Sequence, residues 1–298
     1  MVPLFSGIFF CAFAAYQHIC SMDHFIFDGK YYQQGDPVIS SGNRGLRYGD
    51  GLFETMKFNK DQLELAEDHF ARLWKGMQVL QFEIPRHFTP VKLEEEILAL
   101  CKKNGHIAMA RVRVTVCRGN GGLYDAADHF PHYLIETWEL TNPTGLNSNG
   151  LVLGIYDEVK KSPDILSNLK HNNFLPYVMG ALHAKKQKWN DAVILNTEGR
   201  VCDSTIANIF LVRDEIISTP ALSEGCVAGV MRKHVLQELK AKGFNAVEKE
   251  ITVQELMEAD EVFLTNSIHN IRWVQAMGEK QYGNSFTQKI QAAIGPAI

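Results

Sequence analysis

The sequence predicts an α+β fold divided into two domains, and three observations carry that expectation. Strand-like and helix-like segments are mixed without the regular alternation of a doubly wound sheet. Neither a G-x-G-x-x-G nor a Walker fingerprint occurs, and the turn-rich GNGG at residues 119–122 matches neither. The stretch TNPTGLNSNG, residues 141–150, has the composition of a linker. The 298 residues, 46% hydrophobic and 21% charged, suffice for a substantial core and exclude a disordered protein. A net charge of −4 with no basic block leaves no electrostatic footprint for nucleic acid or an anionic membrane. A small molecule is the expected partner.

The elements follow in chain order. Residues 4–16 form a nearly continuous apolar run, long enough for the hydrophobic region of a signal peptide and too short to span a bilayer. The first Lys or Arg is Lys30, and Met22 directly precedes a well-formed strand pattern. Residues 1–21 are therefore expected to be a mis-assigned or loosely attached extension. The HFIFDGKYY that follows reads as a hairpin, with Asp28 and Gly29 as left-handed turn residues. After a Gly-rich loop at 41–51, LFETMKF reads as a strand. Phe70, Leu73, Trp74, Met77 and Leu80 fall at helical spacing, with His69 and Arg72 on a different face. A helix over 92–103 carries glutamates early and lysines late, which suits its dipole, and stops before Asn104-Gly105. RVRVTVCR alternates as a strand, and another runs from about His132 to Glu139.

The linker then divides an N-terminal domain, 22–142, from a C-terminal domain, 150–298, with 143–149 between them. In the second half, strands are expected near 151–155, 191–196 and 208–212, with a helix over 175–189. A further helix over 230–242 ends at Gly243, and its start, VAGVMRKH, offers small residues before exposed backbone N–H groups, an arrangement that binds phosphate.

Six cysteines (Cys11, Cys20, Cys101, Cys117, Cys202 and Cys226) stand far apart, with no C-x-x-C pair, and read as reduced core residues of a cytosolic protein. The eleven histidines include no H-E-x-x-H, and the pair His129 and His132 lies in a loop-like stretch. No metal site is expected. Composition and periodicity alone stop at a soluble α+β enzyme or binding protein.

A series of motifs goes further. RGLRYGDGLFETMKF, EDHFARL, LKHNNFLP, DAVILNTEGRVCDSTIANIF, AGVMRKHVL and ADEVFLTNSIHNIRWV resemble, in order and spacing, the class IV aminotransferases. These are fold type IV enzymes that use pyridoxal 5'-phosphate (PLP): D-amino acid aminotransferases, branched-chain aminotransferases and 4-amino-4-deoxychorismate lyases. The resemblance spans Met22 to near Ala276. It implies a small N-terminal α/β domain, a barrel-like C-terminal α/β domain, the cofactor at their junction, and a homodimer in which loops of the partner complete the substrate pocket.

It also implies roles for single residues. Lys170 matches the lysine that bonds to PLP and moves the substrate proton, work that needs a neutral amine. Arg72 matches the arginine that grips the cofactor phosphate. The N–H groups of Val230 and Met231 match the second phosphate anchor, and Met231 stands where transaminases often place a threonine. Asn266 and Ser267 match a further cofactor-binding segment. Asp203 takes the position of the glutamate that pairs with the pyridinium nitrogen. Being one methylene shorter, it implies a closer ring, a bridging water or a weaker electron sink. Asn208 matches a structural asparagine. Tyr48, Phe53 and above all Arg118 are the implied substrate contacts. Each has a plainer reading: a solvated lysine, a helix-surface arginine, a capping aspartate before Ser204 and Thr205, and for Arg118 a strand-end residue in a surface ion pair.

Two reactions remain open. LKHNN, AGVMR and LTNSIHNIR resemble the lyase patterns K-H-x-N, G-I-M-R and N-S-L, which implies release of pyruvate and 4-aminobenzoate, a step toward folate. Leu123 stands where the lyase pattern carries an arginine. The alternative is transamination of branched-chain or D-amino acids with a 2-oxo acid. A catalytically inert PLP-binding relative is the third reading.

Overall fold

A computed structural model describes residues 23–124, 128–141 and 145–295. The expected extension, positions 142–144 of the linker, and Cys11 and Cys20 lie outside the described residues. The chain opens with β1 (His24–Phe27) and β2 (Lys30–Gln33), paired antiparallel across Asp28 and Gly29. Both turn residues have positive φ, 47° and 75°, as the hairpin reading requires. Residues 41–51 differ from expectation. They contain a short helix, α1 (Arg44–Tyr48), because the Asn43 side chain accepts the Leu46 N–H at 3.0 Å and Gly49 closes the other end at φ 64°.

The rest of the first half is β3 (Gly51–Asn59), β4 (Gln62–Leu63), α2 (Ala66–Val79), α3 (Pro90–Lys103), β5 (Met109–Arg118) and β6 (Pro131–Glu139). His132 thus lies in a strand and not in a loop. Six strands pair in the order β2-β1-β6-β5-β3-β4, all antiparallel. Leu52, Met56 and Phe58 of β3 and Val112, Val114 and Val116 of β5 pack against Phe70, Leu73 and Met77 of α2 and Leu93, Ile97 and Leu100 of α3. The opposite face of the sheet carries Phe53, Thr55, Arg111 and Arg113, since alternate strand residues point to opposite faces.

The second half runs β7 (Leu151–Lys161), α4 (Leu175–Gln187), β8 (Asp191–Asn196), β9 (Val201–Ser204), β10 (Asn208–Arg213), β11 (Ile216–Pro220), α5 (Val230–Ala241), β12 (Ala246–Lys249), α6 (Val253–Glu258), β13 (Glu261–Asn266), β14 (Asn270–Met277), β15 (Lys280–Gln281) and α7 (Ser285–Ile294). Strands order as β12-β11-β10-β13-β14-β7-β8-β9, with β15 on β14. The last strand of that path turns straight back into the third, since Ser204 N donates to the Ala207 carbonyl at 2.8 Å, so the sheet curls. β7 is longer than its sequence pattern suggested. Tyr156 pairs with Ile194 but Lys160 with Leu195, so a bulge of extra residues keeps the strand paired while charged residues interrupt the apolar run.

Asn147, in the stretch expected to be a linker, is fastened to β14. Trp273 donates its backbone N–H to Asn147 Oδ1 at 3.0 Å and its indole N–H to the Asn147 carbonyl at 2.7 Å.

Candidate active site

Lys170 sits on a short extended segment docked on the start of β3. Phe53 N donates to the Lys170 carbonyl at 2.8 Å, and Asn172 N to the Gly51 carbonyl at 2.9 Å. Gly51 permits this approach, because a Cβ there would fall 2.2 Å from the Val116 carbonyl oxygen and 2.7 Å from the Asn172 amide. The Lys170 amine lies 4.5 Å from the centroid of Phe53 and 5.6 Å from that of Phe174. Burial, then the Arg72 guanidinium, hold it down to about 7 although Glu54 pulls the other way.

The amine opens into a cavity of about 210 Å³ lined by Arg72, Lys170, Asp203, Val230, Met231, Asn266 and Ser267. Seven of the residues singled out from sequence are therefore together. Around them stand Thr55, Arg111, Phe174, Tyr177 and His269.

Arg72 is held by a group the sequence reading passed over. Its Nε and Nη2 donate to the two oxygens of Glu54 at 2.8 and 2.5 Å, and Nη1 donates to the Ala228 carbonyl at 2.9 Å. Five guanidinium N–H groups less these three leave two for a ligand. Burial would raise the Glu54 carboxyl, but Arg72 and the hydrogen bond with His69 hold it at about 2. His69 completes the cluster at 2.7 Å, and burial lowers its pKa against the pull of Glu54. The signal was present, since Glu54 shares the core-facing side of β3 with Leu52 and Met56, where a carboxylate requires a partner.

Beside Arg72, which bonds the Ala228 carbonyl, lies the N-terminus of α5. Gly229 is its cap residue and offers no side chain, so the first-turn N–H groups of Val230 and Met231 face outward from a helix start. A Cβ at Gly229 would lie 1.9 Å from Asn208 Oδ1, and Asn208 Nδ2 donates to the Val227 carbonyl at 2.8 Å. The Met231 side chain points into the core against Phe210 and Phe263.

Asp203 accepts at Oδ2 from Tyr177 Oη at 2.9 Å and Val227 N at 3.0 Å, with Lys161 Nζ at 3.5 Å. Its Oδ1 is buried without a partner, as is Thr265 Oγ1 on the cavity wall. Lys161 escaped the sequence reading because the bulge in β7 shifts its parity. Asn266 Oδ1 accepts from Ile268 N and His269 N at 3.0 and 2.8 Å and shapes the turn that Ser267 lines.

The three implied substrate contacts behave differently. Phe53 touches the Lys170 amine without lining the cavity. Tyr48 lines a separate recess with Asp164 and Leu166. Arg118 is buried, bonded to Asp50 at 2.7 Å and to the Leu80 carbonyl, with its guanidinium 4.5 Å from the Phe82 centroid. Arg118 thus stands at the end of β5 in a buried ion pair, not in the surface pair of the plainer reading. The four described cysteines, Cys101, Cys117, Cys202 and Cys226, are buried and free.

Residues 51–277 match the family model for class IV amino-transferases. Aminodeoxychorismate lyase of Vibrio harveyi is 31% identical over 233 residues, 77% of this chain and 84% of that protein. A putative branched-chain-amino-acid aminotransferase of Methanocaldococcus jannaschii is 28% identical, over 82% of this chain and 84% of its own. The crystal structure of 4-amino-4-deoxychorismate lyase from Pseudomonas aeruginosa superposes with a TM-score of 0.79 at 29% identity, covering 90% and 97% of the two chains. With a matching family model over most of the chain, the curled sheet and this cavity, the protein belongs to the class IV aminotransferases, a family of PLP-dependent enzymes.

Proposed function

We propose that this enzyme binds PLP in the cavity through Lys170 and acts as a 4-amino-4-deoxychorismate lyase, releasing pyruvate and 4-aminobenzoate. The observation that carries it is the buried amine of Lys170, held to about 7, facing a cavity with an anion-binding end and an unpartnered carboxylate oxygen. The residues fit the cofactor. Two free N–H groups of Arg72 and the start of α5 would hold its phosphate, and Asp203 Oδ1 would accept from its ring nitrogen. When bound, PLP supplies an electron sink for the substrate carbon. Lys170, near neutrality at physiological pH, takes the proton from that carbon and holds it at Nζ.

The choice of lyase is supported by the K-H-x-N, G-V-M-R and N-S segments and by the relatives of that name. Aromatisation drives the elimination, which needs no keto acid. Purified PLP-loaded protein given 4-amino-4-deoxychorismate alone is expected to release the two products in equal amounts, and Lys170→Ala to release neither. Absence of release would favour transamination of branched-chain or D-amino acids. Leu123, exposed where the lyase pattern has an arginine, supports that second reading.

We also propose a homodimer. Leu175, Val178, Met179 and Leu182 form an exposed stripe along α4 at helical spacing, beside exposed Leu166, and Tyr48 lines a recess shared with that loop. On this reading Tyr48, turned away from its own cavity, serves the partner's substrate pocket. Leu182→Asp is expected to shift the sedimentation of the protein from dimer to monomer. A dimer unchanged by that variant would place the interface elsewhere.

A further inference from the structure

We propose that Lys161 and Tyr177 are positioning residues that share the negative charge of Asp203 and so set how tightly this carboxylate holds the proton of the cofactor's ring nitrogen. The proposal rests on the reading that the cavity holds PLP.

The starting fact is an asymmetry within one carboxylate. Oδ2 receives the Tyr177 hydroxyl at 2.9 Å and the Val227 N–H at 3.0 Å and has the Lys161 ammonium at 3.5 Å, while Oδ1, equally buried, receives nothing. Lys161 Nζ also donates to the Tyr177 hydroxyl and to the Ser167 carbonyl at 3.4 Å, and lies 4.8 Å from the Tyr177 ring centroid. The two residues reach Asp203 from different elements. The β7 bulge delivers Lys161, and the first turn of α4 delivers Tyr177, whose ring packs 4.3 Å from that of Phe174.

This geometry answers the problem posed by the short side chain. Three groups on Oδ2 fix the plane of the carboxylate, so Oδ1 has one direction to face. The same groups draw charge toward Oδ2, and a carboxylate that already neutralises an ammonium is a weaker base toward a second donor. Lys161 keeps its proton: burial pulls its pKa down most strongly, but Asp203, followed by Cys202 and Cys226, together raise it above the ordinary value. Tyr177 keeps its proton too, with burial and Asp203 pushing its pKa well above the ordinary value. The other ionisable groups facing Asp203 are Cys202 and Cys226, thiols pushed up chiefly by burial and so uncharged, and Lys170. Among these neighbours Lys161 is the one cation that does not titrate near neutrality. Removing it leaves the whole charge of Asp203 to the ring nitrogen, which then keeps its proton to higher pH.

The test uses the full chain loaded with PLP carrying 15N at the ring nitrogen. The nitrogen chemical shift is titrated against pH in wild type, Tyr177→Phe, Lys161→Met and the conservative Lys161→Arg, with circular dichroism reporting the fold. The midpoint is expected to rise by about one pH unit or more in Lys161→Met. It should rise by less in Tyr177→Phe and return close to wild type in Lys161→Arg. A purely structural ion pair would change stability and leave the midpoint in place, and an unchanged or lowered midpoint overturns the proposal. So does a wild-type nitrogen that never titrates below the pH of unfolding. If Lys161→Met does not fold, Tyr177→Phe decides alone. A wild-type protein that does not bind the label overturns the cofactor reading itself, an outcome distinct from the others.

Discussion

Two side chains account for most of the chemistry at the residue scale, and each makes a prediction about pH. Lys170 is neutral above about 7, so capture of PLP by the cofactor-free protein is expected to slow about tenfold per pH unit below that value. Stopped-flow absorbance would measure it, and a rate flat down to pH 5 would contradict the depressed amine. Glu54 behaves in the opposite sense. Its folded value of about 2 lies below its unfolded one, so it stabilises the fold above about pH 4.3 and that contribution is lost as the pH falls toward 2. Glu54→Gln removes the partner of a buried arginine and is expected to cost about 3 kcal/mol in urea unfolding. Lys170 and Arg72 were recognisable from their flanking motifs. Glu54 was recognisable from strand parity alone. For Arg118, motif position does not reveal the contacts its guanidinium makes with Asp50 and the Leu80 carbonyl.

Elements were legible where local chemistry and tertiary packing agree. The β1–β2 hairpin, α2, and α5 with Gly243 at φ 78° stand where turn residues and periodicity put them. The short α1 was missed because its cap, Asn43, lies among residues that equally suit a turn. The extension of β7 was missed because a bulge cancels the alternation on which strand reading depends. At the start of α5 the prediction is direct. Gly229→Ala forces a Cβ into Asn208 Oδ1, so the helix start or the Asn208 side chain, both on the cavity wall, must shift. PLP affinity measured by equilibrium dialysis should fall about tenfold or more, about 1.4 kcal/mol, with the circular dichroism spectrum retained. Unchanged affinity would remove this helix start from the phosphate site.

Across the whole molecule, the N- and C-terminal halves of the chain meet through polar ties. Arg72 reaches the Ala228 carbonyl, Lys57 Nζ reaches Asn270 Oδ1 at 3.1 Å, and Lys233 reaches Asp68 at 2.5 Å. A ligand held in a cavity lined by both halves stabilises both, so PLP at a hundred times its Kd is expected to add about 2.7 kcal/mol to a single calorimetric transition. Two transitions, of which PLP moves one, would show domains that unfold independently. The docking of Lys170 on β3 has a consequence for how such a protein can change over evolutionary time. The segment that carries the amine belongs to the C-terminal half of the chain, yet its backbone is registered by Gly51 and Phe53 of the other half. A chimera that joined either half to its counterpart from a relative would disturb the placement of the amine before it altered any side chain in the cavity. The two halves are therefore bound to co-evolve at a backbone seam of a few residues, and recombination at the linker, the obvious crossover point, would be poorly tolerated.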